Sequence, residues 1–122
     1  MLPKLYYQRY QEFRDLLERL QQAVSGNAID ATALRQSFLE AQKFFGQQII
    51  SLDNPDIDAA DESRLRSYQT EIGKQLNLLS IDVTFLQAAR QLETAKTRKM
   101  QIEQRLETLL GYCNAILKAN GE

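Results

Sequence analysis

Apolar residues recur along this chain at alternating steps of three and four, and the breaks between those runs divide it into four helical stretches. In the first, Tyr6, Tyr10, Phe13, Leu17, Leu20 and Val24 form an unbroken heptad seam that begins just after Pro3, where proline is tolerated at a helix start. Ser25-Gly26-Asn27 ends it. Asp30 then caps a second helix, whose inner face runs through Leu34, Phe38, Ala41, Phe45, Ile49 and Leu52. Asn54-Pro55 stops that helix, because proline lacks an amide hydrogen and drives the preceding residue out of helical geometry. Asp58 caps the third, with Asp61 and Glu62 in its first turn near the positive end of the helix dipole. The fourth seam comprises Ile102, Leu106, Leu109, Cys113 and Ile116, widened by Leu110 and Leu117.

The segment from Leu76 to Leu92 carries two apolar stripes side by side. One is Leu76, Leu79, Val83 and Leu86, and the other is Leu78, Ile81, Phe85, Ala88 and Leu92. So wide an apolar face needs several neighbours to cover it, which places this helix at the centre of a bundle or at a subunit contact. On this pattern both Leu79 and Phe85 are expected to be buried, and a homodimer through the third helix is one expected outcome.

The boundary between the third and fourth helices is the least marked. Between Leu92 and Arg98 there is neither glycine nor proline, only Thr94 and Thr97 as acceptable N-caps. With a break there, the third helix covers about 59–92 and is ~50 Å long against ~30 Å for the first, with Gly73 the expected place for curvature. Without one, a single helix from 59 to 119 forms an extended hairpin that a second chain must cover. No strand pattern competes, and short connections favour antiparallel neighbours. The predicted fold is therefore all-α, a four-helix antiparallel bundle (up-down-up-down) with a long third helix, in one helical domain spanning residues 1–122.

Composition narrows the chemistry. The 122 residues are 43% hydrophobic and 25% charged, as in ordinary globular proteins, and the net charge of −1 gives no overall attraction to nucleic acid or anionic membrane. The absence of histidine removes histidine general bases, most zinc sites and the Glu-x-x-His pairs of ferritin-like bundles. The lone Cys113 cannot form a disulfide within the chain, and on the seam it reads as an inert small hydrophobe. The five glycines are scattered and form no phosphate loop. No apolar run approaches the roughly 20 residues of a membrane span. The expectation is a cytoplasmic protein that is not an enzyme and needs no cofactor or metal.

Charge placement is more informative than net charge. Asp53, Asp56, Asp58, Asp61 and Glu62 surround the second connection, whereas Arg90, Lys96, Arg98 and Lys99 surround the third. In an up-down bundle these connections lie at opposite ends, so an acidic end and a basic end are predicted. The acidic segment is not a calcium loop: counted from Asp56, its fifth position is Ala60, its sixth Asp61 and its twelfth Ser67. Arg90, Lys96, Arg98 and Lys99 are the candidate partner-binding residues, with few apolar neighbours expected. Tyr7, pointing about 100° from the first seam, is the rival aromatic anchor. Glu93, Glu103 and Glu107 flank the basic cluster, and without a recognition-helix pattern they argue against nucleic acid.

Three further segments carry a family resemblance. They are Tyr10-Gln11-Glu12-Phe13 followed by a leucine-rich helix, Ile81-Asp82-Val83-Thr84-Phe85-Leu86-Gln87-Ala88-Ala89-Arg90-Gln91, and Leu109-Leu110-Gly111-Tyr112-Cys113. Together with the length, they make nearly the whole chain resemble the cyanobacterial heterocyst frequency control protein PatD family. The resemblance implies a small non-enzymatic regulator that restrains how many cells become heterocysts, acting on assembly of the tubulin-like division protein FtsZ. It supplies no binding residues. The leading expectation is thus a helical protein-interaction regulator; the alternatives are a nucleic-acid-associated regulatory factor and a structural coiled-coil homodimer.

Overall fold

The computed structural model describes residues 2–26, 28–53 and 57–119. Four α-helices run in order: α1 (Lys4–Ser25), α2 (Ala31–Phe44), α3 (Ala59–Ala88) and α4 (Leu92–Lys118). A π-helical turn, Phe45–Ile50, extends α2. The principal contacts are α1 with α2, α2 with α3, α3 with α4 and α4 with α1, which close the helices into a bundle.

Pairings along their lengths fix the directions. Phe13 stacks on Phe45 near the far end of α2, Tyr68 meets Tyr112, and Lys99 at the start of α4 reaches the carbonyl of Gly26 at the end of α1. Neighbours are antiparallel, as the short connections require.

The helix starts follow the expected chemistry. The Asp30 carboxylate accepts from the amides of Thr32 and Ala33, each at 3.1 Å, and Asp58 accepts from the amide of Ala60 at 3.1 Å. Each satisfies amide groups that the first helical turn leaves without partners. Pro3 stands at the N-cap of α1 and its carbonyl accepts from Tyr7. Asn27, Asn54, Pro55 and Asp56, assigned above to connections, lie outside the described residues.

The π-helical turn has no sequence signature of its own, but it has a physical reason. From Ala41 the seam makes two successive four-residue steps, to Phe45 and to Ile49, and each such step overshoots an α-helical turn by about 40°. The wider turn absorbs that drift. Phe45 and Ile49 both stay buried.

Burial follows the α1 seam at every position from Tyr6 to Val24, and the α4 seam at Ile102, Leu106, Leu109, Cys113 and Ile116. Burial also pushes the Cys113 thiol from its ordinary 9.0 up to about 12, with the Arg14 guanidinium opposing. The Tyr10 phenol is raised above its ordinary value by burial, against a hydrogen bond from Gln69 Nε2 at 3.2 Å.

Two expectations are corrected. The third helix ends at Ala88, and the break falls on Ala89, Arg90 and Gln91, ahead of Thr94 and Thr97, neither of which caps α4. Ala89 and Gln91 adopt extended backbone angles open to any residue, so no local breaker is needed. What selects the break is the packing of the α4 seam back along α3 and α1. The continuous 59–119 helix is thereby excluded, and α3 passes Gly73 without interruption for about 45 Å.

The second correction concerns the double stripe. Leu76, Leu79 and Val83 are buried, but Leu78, Ile81 and Phe85 are 40%, 49% and 50% exposed, and Ala88 faces solvent. The bundle needs one face of α3, since among the described residues its main helix neighbours are α2 and α4. Its other apolar face is left to solvent.

Candidate interaction surface

The α3–α4 seam is joined on its outer side by a buried carboxylate. Asp82 is only 2% exposed, and its Oδ1 accepts from Arg98 Nη1 at 3.0 Å, while Oδ2 accepts from Arg105 Nε. Arg98 and Arg105 lie a heptad apart on one face of α4, so they approach Asp82 from opposite directions along the helix. A slip of one helical turn between α3 and α4 would leave the carboxylate buried without them, which gives the pair a part in setting register. Arg98 Nη1 also donates to Gln101 Oε1 at 3.2 Å, and its guanidinium lies 4.4 Å from the centroid of the Phe85 ring. That geometry adds a cation–π attraction and fixes the orientation of a half-exposed aromatic side chain.

Beside this anchor, Leu78, Ile81 and Phe85 follow one another at steps of three and four along the solvent side of α3. Their spacing is that of a recognition stripe for another amphipathic helix. Separately, a cleft of about 370 Å³ opens where the α1–α2 and α3–α4 connections meet. Ile29, Leu86, Leu92 and Ala95 supply apolar lining, and Lys96 and Lys99 line it as well.

These observations sort the candidate residues. Arg98 is not a free surface cation: Asp82, Gln101 and Phe85 hold it, so the expectation of few apolar neighbours is wrong for this residue. Lys99 is half-buried and donates to the Gly26 carbonyl at 3.1 Å. Arg90 and Lys96 are exposed, and among the described residues neither is in an ion pair. Tyr7 is half-buried and packs against the core, in place of the exposed anchor anticipated. It lies on α1, whereas the other four lie at the α3–α4 corner.

The charged ends are indeed opposite one another, but unequal. Asp61 pairs with Arg64 at 3.3 Å and Glu62 with Arg66 at 2.6 Å, within α3 itself. Such pairs at spacings of three and four are ordinary helix chemistry. At the basic end, Arg90 and Lys96 have no ion-pair partner among the described residues.

Sequence reasoning missed Asp82, Arg105 and the exposure of Leu92, which stands 70% exposed in the first turn of α4. A signal for Asp82 was present: it is the sole charged residue between Lys74 and Arg90, in an otherwise apolar and neutral stretch. A charge so placed is either a solvated wedge or a buried group with partners, and two arginines a heptad apart point to the second.

Among the described residues, no cluster of three or more His, Cys, Asp or Glu side chains is placed to hold a metal, and no helix is long and apolar enough to cross a membrane. Comparison with protein-family models, curated proteins and solved structures finds no match to this chain.

Proposed function

We propose that this protein is a non-enzymatic helical interaction module whose working surface is the outer face of α3. The observation that carries this reading is the stripe of Leu78, Ile81 and Phe85, half-exposed on a helix whose opposite face is fully committed to the core. Neither stability nor solubility is served by exposing three large apolar side chains at helical spacing, whereas a partner helix can use them as anchors. The resemblance to the PatD family supplies a specific role, restraint of heterocyst differentiation through the assembly of FtsZ.

The same stripe suits a homodimer, but its size favours a weak one over an obligate one. Three half-exposed side chains offer on the order of 300 Å², well below the ~800 Å² per partner of a stable interface. The stripe therefore fits a transient partner or a weak self-association.

FtsZ assembly in the presence of GTP, followed by light scattering, tests the role. The wild-type chain is expected to change the extent or rate of assembly, and Ile81→Asn to lose that effect while melting normally. No effect from the wild-type chain at equimolar or higher ratios removes FtsZ as the target.

A further inference from the structure

The cleft at the basic end lies away from the outer stripe of α3 and combines two kinds of lining. Its apolar lining is built by Ile29 before α2, Leu86 near the end of α3, and Leu92 and Ala95 in the first turn of α4. Two lysines complete the lining: among the described residues Lys96 makes no ion pair, and Lys99 donates to a carbonyl, so neither ammonium is paired with a described acid. Among the described residues no carboxylate lines the cleft. The only acid in the first turn of α4, Glu93, is not part of the lining, and Asp30 spends its Oδ1 on the α2 amides. Arg90, exposed on the connection before Leu92, adds a third cation to this end.

From this complementarity we infer that the cleft is a peptide-docking site, and that its occupant is an acidic segment of a partner protein that places one large apolar side chain among Ile29, Leu86 and Leu92. Each half of the requirement has its own reason. Leu92, 70% exposed, gains most by being covered with an apolar side chain. Carboxylates on either side of that side chain meet Lys96 and Lys99, which hold cationic hydrogen-bond donors without opposing acids. A nucleic acid would satisfy the lysines alone and leave the apolar lining wet, since phosphate contacts do not cover apolar surface. The cleft does not depend on the outer face of α3, so it stands or falls separately from the function proposed above.

Titration of the isotope-labelled full chain with a defined peptide, Gly-Glu-Asp-Leu-Phe-Asp-Glu-Gly, observed by amide chemical shifts, tests the site. Shifts are expected at Ile29, Leu86, Leu92 and Lys96, saturating at high micromolar to millimolar peptide. Replacing Leu and Phe of the peptide by Ser is expected to weaken binding by roughly tenfold or more, and replacing its acids by Asn and Gln by roughly three- to tenfold. On the protein, Leu92→Ser and Lys96→Glu each weaken binding by a comparable factor without changing the melting temperature, because both positions are exposed, whereas Ile81→Asn leaves it unchanged. The inference is overturned if these amides do not respond at millimolar peptide. It is overturned equally if the neutral peptide binds as well as the acidic one, or if a DNA oligonucleotide binds the same residues more tightly than the peptide.

Discussion

The Asp82 site predicts an unequal response to removing its partners. The carboxylate is buried to 2% exposure, but the Arg98 and Arg105 side chains remain 29% and 26% exposed. In Asp82→Ala the two arginines can turn to water and no buried charge is stranded, so the cost is that of lost charge-assisted hydrogen bonds and a small void, about 1 to 2 kcal/mol. Arg98→Ala alone costs a similar amount, since Arg105 still neutralises the carboxylate while the contact with Phe85 contributes roughly 0.5 to 1 kcal/mol of that loss. Arg98→Ala with Arg105→Ala strands the carboxylate in the α3–α4 seam, and the expected loss rises to roughly 3 to 5 kcal/mol. The two arginine substitutions should therefore cost more together than separately, by about 1 kcal/mol. Urea unfolding followed by far-ultraviolet circular dichroism reads these differences directly, provided the slope with denaturant is unchanged. If the double arginine variant is no less stable than Asp82→Ala, water reaches the carboxylate in solution and the register argument fails.

Two further outcomes follow from burial. Leu79→Ala should cost roughly 3 to 5 kcal/mol, because Leu79 is fully buried, whereas Phe85→Ala should cost only about 1 to 2 kcal/mol, because half of its surface is already in water; chemical denaturation of both variants ranks them, and equal losses would return the second stripe to the core. Stability should also fall at high pH, since burial holds the Cys113 thiol and the Tyr10 phenol protonated in the folded chain while the unfolded chain releases those protons first. With the thiol moved from 9.0 to about 12, Cys113 alone contributes a loss of about 1.5 kcal/mol between pH 7 and pH 10, and denaturation of Cys113→Ala across that range should show a shallower decline.

The parts of this fold written in the sequence are those where local and tertiary preferences agree. The seams of α1 and α4 and the caps at Asp30 and Asp58 are legible because periodicity and capping depend on residues within one helix. The α3–α4 break is hidden because Ala89, Arg90 and Gln91 have no intrinsic need to leave helical geometry, and only the antiparallel packing of α4 makes them do so. Periodicity likewise identifies both stripes of α3 as apolar but does not say which one the bundle covers. Phe85 is exposed because it lies on the far side of α3 from the core residues Leu76, Leu79 and Val83. As for the candidate site, clustering placed Arg90, Lys96, Arg98 and Lys99 at one end, as the structure has them, but the capture of Arg98 by Asp82 joins residues sixteen positions apart on different helices. That pairing becomes visible only when α3 and α4 are laid side by side.

The central claim, that the outer face of α3 is an interaction surface, is tested most directly by quantitative capture from native extract with immobilised wild-type protein, Ile81→Asn and a control, Leu39→Ser. Leu39 is exposed to a similar degree, 46% against 49%, but lies on α2. The account predicts that the proteins enriched by the wild-type chain are retained by Leu39→Ser and lost with Ile81→Asn, although all three melt alike. Identical enrichment by Ile81→Asn and the wild-type chain would contradict it.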